Sequence, residues 1–291
     1  MQKKILFILC CVILFTGCST TKNTGATRAF HGMKVVHNVY FNGQISYQEG
    51  LDAIHKANED DYSTILNLYP ISNPKTQQSA TSQMDKSIEK CRKCIKLHSI
   101  HSRPKKVNTK RRNDPKYKAW LNSKEFNPQM YRAWMLLAQS EFHKGDFLGS
   151  IGTFTYIAKL YETDPDLVAQ CQLWMARAYG EMGWQYEAED LLGKVKIDNL
   201  KQKHQPFYSA VSADILLKGQ HYKEAIPYIK LSKGEEKRKG YKPRFEYVLA
   251  QLYQQNGQKD AARAGYKRVI SLQPEHIMRF NAQLRYYELQ G

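Results

Sequence analysis

Four glycines, Gly145, Gly183, Gly219 and Gly257, recur at intervals of 38, 36 and 38 residues. Around each the pattern is the same: an apolar-aromatic helix, a glycine turn, then a second helix opening on a small residue. A period of this length is that of a helix hairpin. One hairpin cannot bury its apolar face alone, so successive copies must stack. The expected fold is therefore all-α, a helix-hairpin solenoid.

The last copy is the clearest. Residues 245–255 read as a first helix with Ala250 and Tyr253 inward, Asn256-Gly257 as the turn, and a second helix carries Ala262 and Tyr266 before Pro274. Ala250 and Ala262 let the two helices cross closely. Gly257 takes a backbone conformation that other residues avoid, and Pro274 cannot continue a helix. This order of small, aromatic, Gly, Ala, aromatic and Pro positions resembles the tetratricopeptide repeat. The second copy has Trp174, Ala176, Tyr179, Gly183, Ala188 and Leu192. The first has Trp134, Leu137, Ala138, Gly145, Phe147, Ser150 and Phe154, with Asp164-Pro165 at its end. The third has Phe207, Ser212, Gly219, Tyr222 and Ala225, with one extra residue between Gly219 and Ala225. The 19 Tyr fit such an array, in which a ring is buried between helices and its hydroxyl reaches the edge. Residues 275–289 read as one more helix, either a terminal cap or the start of a copy that longer relatives continue.

The chain opens differently. Lys3 and Lys4 precede an apolar run over 5–15, which is too short to span a bilayer. Phe15-Thr16-Gly17-Cys18 then resembles a lipobox, with Phe15 where Leu is usual. Residues 1–17 are expected to be a signal peptide, Cys18 the lipidation site and 18–26 a tether. No Asp follows Cys18 and no acidic run follows it, so the expected location is the outer membrane, lipid-anchored at its periplasmic face. The net charge of +17 becomes +15 without Lys3 and Lys4. An exported protein rarely meets nucleic acid, so no nucleic-acid partner is expected. The excess serves anionic envelope partners or is a generally basic surface.

Residues 27–100 form an expected N-terminal helical region, with a hairpin turning at Asn42-Gly43. In its last helix Met84, Ile88, Cys91, Ile95 and His98 share one face. Residues 101–124 read as a basic linker. Its patch of Arg103, Lys105, Lys106, Lys110, Arg111 and Arg112, continued by Lys116 and Lys118, either meets an acidic partner or headgroups or is simply solvated. Residues 125–291 hold the repeats, about four plus a final helix. Three Cys remain after processing, too odd a set for a disulfide framework. Cys91 and Cys94 form a C-x-x-C within a helix, without the second ligand pair a zinc site wants.

Three stretches resemble the N-terminal part of the SprE/PorW-type lipoproteins of Bacteroidetes. They are Phe30-His31 through His37-Asn38-Val39-Tyr40-Phe41-Asn42-Gly43 and Glu49-Gly50; Ile95-Lys96-Leu97-His98-Ser99-Ile100; and Glu125-Phe126-Asn127-Pro128 with 136–147. The resemblance implies an accessory to a type IX secretion or gliding-motility machine, with secretion or motility proteins as partners. Those relatives are longer, so the resemblance implies a short or truncated member.

A tetratricopeptide-type array presents a groove lined by its first helices, suited to an extended or helical protein segment. Ideal register places Arg132, Gln139, His143, Arg177, Glu181 and Gln251 there. The function expected is a protein–protein interaction scaffold. The alternative is a repeat lipoprotein of β-barrel assembly. The sequence lacks G-x-S-x-G, H-E-x-x-H and a glycine-rich phosphate loop. No catalytic residue, metal, cofactor or small-molecule substrate is therefore expected.

Overall fold

A computed structural model describes residues 19–232 and 241–290. The expected signal peptide, 1–17, and the expected lipidation site Cys18 lie outside the described residues. Among them the chain is helical, with no strand. The helices are α1 (Gly25–Lys34), α2 (Phe41–Ala57), α3 (Pro74–Gln77), α4 (Thr81–His98), α5 (Pro115–Leu121), α6 (Met130–His143) and α7 (Phe147–Leu160). There follow α8 (Pro165–Glu181), α9 (Gln185–Lys194), α10 (Gln205–Lys218), α11 (Tyr222–Leu231), α12 (Tyr241–Gln255), α13 (Lys259–Ser271) and α14 (His276–Glu288). They form two compact units that do not follow chain order. One holds residues up to 52 with 80–168, the other 53–79 with 169–291.

In the first unit, Thr24 caps α1 through a reciprocal pair of hydrogen bonds with Thr27. The expected turn at Asn42-Gly43 is absent. A π-helical stretch, Val35–Tyr40, carries α1 directly into α2, and Gly43 is helical. Gly43 is small for another reason. A Cβ there would lie 3.3 Å from the Leu136 side chain and 3.5 Å from the Cys91 sulfur, so glycine permits close helix packing. Val35, Cys94, Met130 and Ala133 form a buried cluster flanked by Tyr40, Ile95 and Trp134. Helix α4 buries Met84, Ser87, Ile88, Cys91 and Cys94, a stripe at helical spacing, and packs along α6. The Ser87 and Ser140 hydroxyls hydrogen-bond across that contact at 2.8 Å. Cys91 and Cys94 are buried free thiols. Burial pushes the Cys94 thiol up to about 12 and raises Cys91 as well. Both are therefore held as inert core thiols.

The basic stretch is more ordered than a linker. Asp114 accepts from the backbone N–H of Lys116 and Tyr117 to cap α5, with Pro115 at its first position.

The hairpins α6–α7 in the first unit and α10–α11 and α12–α13 in the second pack pairwise. Gly145, Gly183 and Gly257 sit at φ 86°, 75° and 71°, as the repeat reading requires. The third copy differs. Gly219 has φ −76° and ends α10, and Gln220 takes the left-handed position at φ 60°. Counted from the left-handed residue, the small residue opening the second helix is five positions on in every copy: Ser150, Ala188, Ala225 and Ala262. The extra residue thus belongs to the preceding helix end, and the repeat register is unbroken. At the last hairpin the close approach is between Ala250 and Gly265, where a Cβ on Gly265 would lie 2.8 Å from that of Ala250. Tyr266 is fully buried there and its hydroxyl donates to Gln254 at 2.8 Å. Helix α14 packs on α13 through Met278 and Ala282.

Candidate functional site

The first helix of each repeat supplies the groove, and in the second unit these are α8, α10 and α12. An irregular segment, residues 58–73, followed by α3, meets these helices in turn, with Thr64, Leu66 and Asn67 on α12 and Tyr69 and Ser72 on α8. Two prolines, Pro70 and Pro74, and Asn73 keep it from continuing as one helix. Among its buried side chains are Leu66, Leu68, Tyr69 and Ile71. Each such burial stabilises by roughly 1.5–3 kcal/mol.

The groove side chains grip this segment by its backbone and by its side chains alike. Gln251 donates its side-chain amide to the Thr64 carbonyl at 2.7 Å, and its carbonyl accepts the Leu66 N–H at 3.0 Å. Arg244 donates from Nε to the Asn67 carbonyl at 2.8 Å. Its two terminal nitrogens meet both Asp60 carboxylate oxygens at 2.7 and 2.8 Å. Arg285 donates to the Tyr62 carbonyl at 3.3 Å. The Arg177 guanidinium lies 4.0 Å from the Tyr69 ring centroid, a cation–π distance. The Ser72 hydroxyl donates to Glu181 at 2.9 Å.

Glu181 belongs to a buried charge network. Lys218 lies 3.2 Å from it and 2.6 Å from Asp214. Burial raises the Glu181 carboxyl above its ordinary range, against the pull of Lys218. The carboxylates are thus compensated by a neighbouring ammonium, as buried charges require. Clefts of 180 and 380 Å³ flank the segment near α14. The first is lined by His55, Asp60, Arg244 and Glu275, and its Asp60 carboxylate is already bound by Arg244.

The three candidates of the first unit are engaged as well. Arg132 hydrogen-bonds Gln129 at 2.8 Å and contacts the Tyr40 hydroxyl. His143 is buried, with Nδ1 3.2 Å from the Tyr47 hydroxyl and 2.9 Å from the Gln139 carbonyl. Gln139 is half-buried beside it. In each unit, therefore, groove residues are bonded to residues from the N-terminal part of the chain. Arg103, Lys105, Lys106, Lys110, Arg111 and Arg112 are all exposed on the first unit.

Sequence reasoning missed Asp214, Lys218, Arg244 and Arg285. The signal for the first two was present. Six residues before the left-handed turn position stand Gln139, Arg177, Asp214 and Gln251; two before it stand His143, Glu181, Lys218 and Gln255. Aligning the third copy on Gly219 instead of Gln220 shifts its groove positions by one and hides them. Arg244 is likewise the counterpart of Arg132, thirteen residues before the turn.

Residues 247–276 match the tetratricopeptide repeat family. The stretch spans the end of α12, the Gly257 turn and α13, the copy most regular in sequence and geometry. Comparison with curated proteins gives no match.

Proposed function

We propose that the protein is an envelope lipoprotein, lipid-anchored at the periplasmic face of the outer membrane through Cys18. It acts there as a protein–protein interaction scaffold, an accessory to a type IX secretion or gliding-motility machine. The observation that carries the scaffold reading is the repeat array, with its match at 247–276. Tetratricopeptide arrays hold protein segments in the groove of their first helices. This groove already does so. Gln251 and Arg244, with Arg285 of α14, bond to main-chain carbonyls of the irregular stretch 62–67, and Arg244 also binds the Asp60 side chain. The lipobox at 15–18 supports the anchor, and the resemblance of 30–50, 95–100 and 125–147 supports the machine.

The test is purification of tagged protein from cross-linked envelopes of its own organism, with mass spectrometry of what accompanies it. Secretion or motility components are expected. Recovery of β-barrel assembly proteins instead would refute the secretion assignment, and recovery of no partner would refute the scaffold.

A further inference from the structure

The residues just beyond Cys18 do not lead away from the folded chain. Asn23 is buried, and its side-chain amide donates to the Ser102 carbonyl at 2.7 Å. Arg28, one turn into α1, donates to Asn23 and lies 5.0 Å from the Trp120 ring. The chain therefore enters its first unit against both ends of the basic stretch. Four residues lie between Cys18 and Asn23, and an extended chain covers at most about 18 Å over those five steps.

The basic stretch is itself folded. The Tyr117 hydroxyl accepts the Asn108 N–H at 2.9 Å. Trp120 stacks on Tyr117 at 5.4 Å, and Arg111 lies 4.9 Å from the Tyr117 ring and 2.7 Å from Asp114. This inner layer uses the one carboxylate of the stretch and leaves the other cations outside. Arg103, Lys105, Lys106, Lys110, Arg112 and Lys116 are all exposed. Among them Val107 is a lone apolar side chain, 52% exposed.

We propose that the lobe formed by residues 103–118 docks on anionic phospholipid headgroups of the leaflet that holds Cys18, with Val107 entering the interface. The inference rests on the lipid anchor proposed above. The anchor supplies most of the affinity; the lobe fixes which face of the first unit meets the bilayer. Each Lys or Arg close to an anionic surface strengthens association about fivefold. That attraction fades beyond roughly 8–10 Å at physiological salt, so it acts only on a surface the tether keeps near. The cations and the exposed Val107, joined to a short tether, favour a lipid surface over an acidic protein.

The experiment uses the full chain, produced with acylation and reconstituted into vesicles of phosphatidylcholine with or without phosphatidylglycerol. A Val107→Cys substitution carries an environment-sensitive fluorophore; Cys91, Cys94 and Cys171 are buried and escape labelling. The mass of Cys18 is checked for its acyl chains in parallel. The expected result is a blue-shifted emission, shielded from acrylamide, on anionic vesicles only. Reversing Lys105, Lys106, Lys110 and Arg112 to Glu should abolish the shift while vesicle binding persists. An acylated protein with the same aqueous emission on both vesicles overturns the lobe proposal and leaves the anchor standing. A shift produced only by an acidic envelope protein also overturns it. A Cys18 without acyl mass overturns the anchor itself.

Discussion

Gln220 carries a left-handed backbone that glycine carries in the other three copies. An L-residue there pays roughly 1–2 kcal/mol in steric crowding, against about 0.5–1 kcal/mol of extra chain entropy that glycine loses on folding. Gln220→Gly should therefore stabilise slightly. Gly257→Ala should destabilise by about 0.5–1 kcal/mol on the same balance, with no clash of its own because nothing lies within 4 Å of the added Cβ. Urea unfolding of both variants measures the pair. Three turn glycines were readable in the sequence because only glycine takes that backbone cheaply. The turn at Gln220 was not, because the neighbouring Gly219 offered a false origin. A second residue-scale test is electrostatic. His31 and His98 face each other, Nδ1 to Nδ1 at 3.0 Å. Burial lowers both, with His31 and Lys34 lowering His98 further. With folded values below the unfolded value of about 6.5, the unfolded chain binds protons first as pH falls. Stability is full above that value and declines as pH drops from it toward the folded values. Thermal midpoints between pH 8 and pH 5 should show this fall, and His31→Gln should reduce its slope.

Among the elements, the helix hairpins were legible and the N-terminal hairpin was not. Gly43 serves close packing against Leu136 and Cys91, and sequence alone does not separate a glycine that turns from one that lets helices touch. Segment 58–73 departs from the helical reading of 27–100, with Pro70 and Pro74 breaking the helix. Its seat against α8, α10 and α12 depends on contacts more than a hundred residues away, such as Ser72 with Glu181 and Asp60 with Arg244. No local pattern encodes these. The Asp60–Arg244 pair is mostly shielded from solvent, with side-chain exposures of 13% and 4%. Removing one partner strands the other, so Arg244→Ala should cost about 3–5 kcal/mol. Asp60→Ala with Arg244→Ala together should cost less than the sum of the singles. A double-mutant cycle by chemical denaturation measures this.

At the scale of the whole molecule, periodicity gave the all-α repeat architecture but not its division into units. The N-terminal region reads as one block before the repeats, yet its residues are shared between both units. In the second unit, residues 58–73 occupy the groove as bound chain. Hydrogen–deuterium exchange on the full protein tests it most directly. The Leu66 amide, bonded to Gln251, and the amides around it should exchange slowly. Gln251→Ala should speed that segment while α13 stays protected. Exchange over 58–73 as fast as in an open peptide would contradict the account and leave the groove open to other proteins.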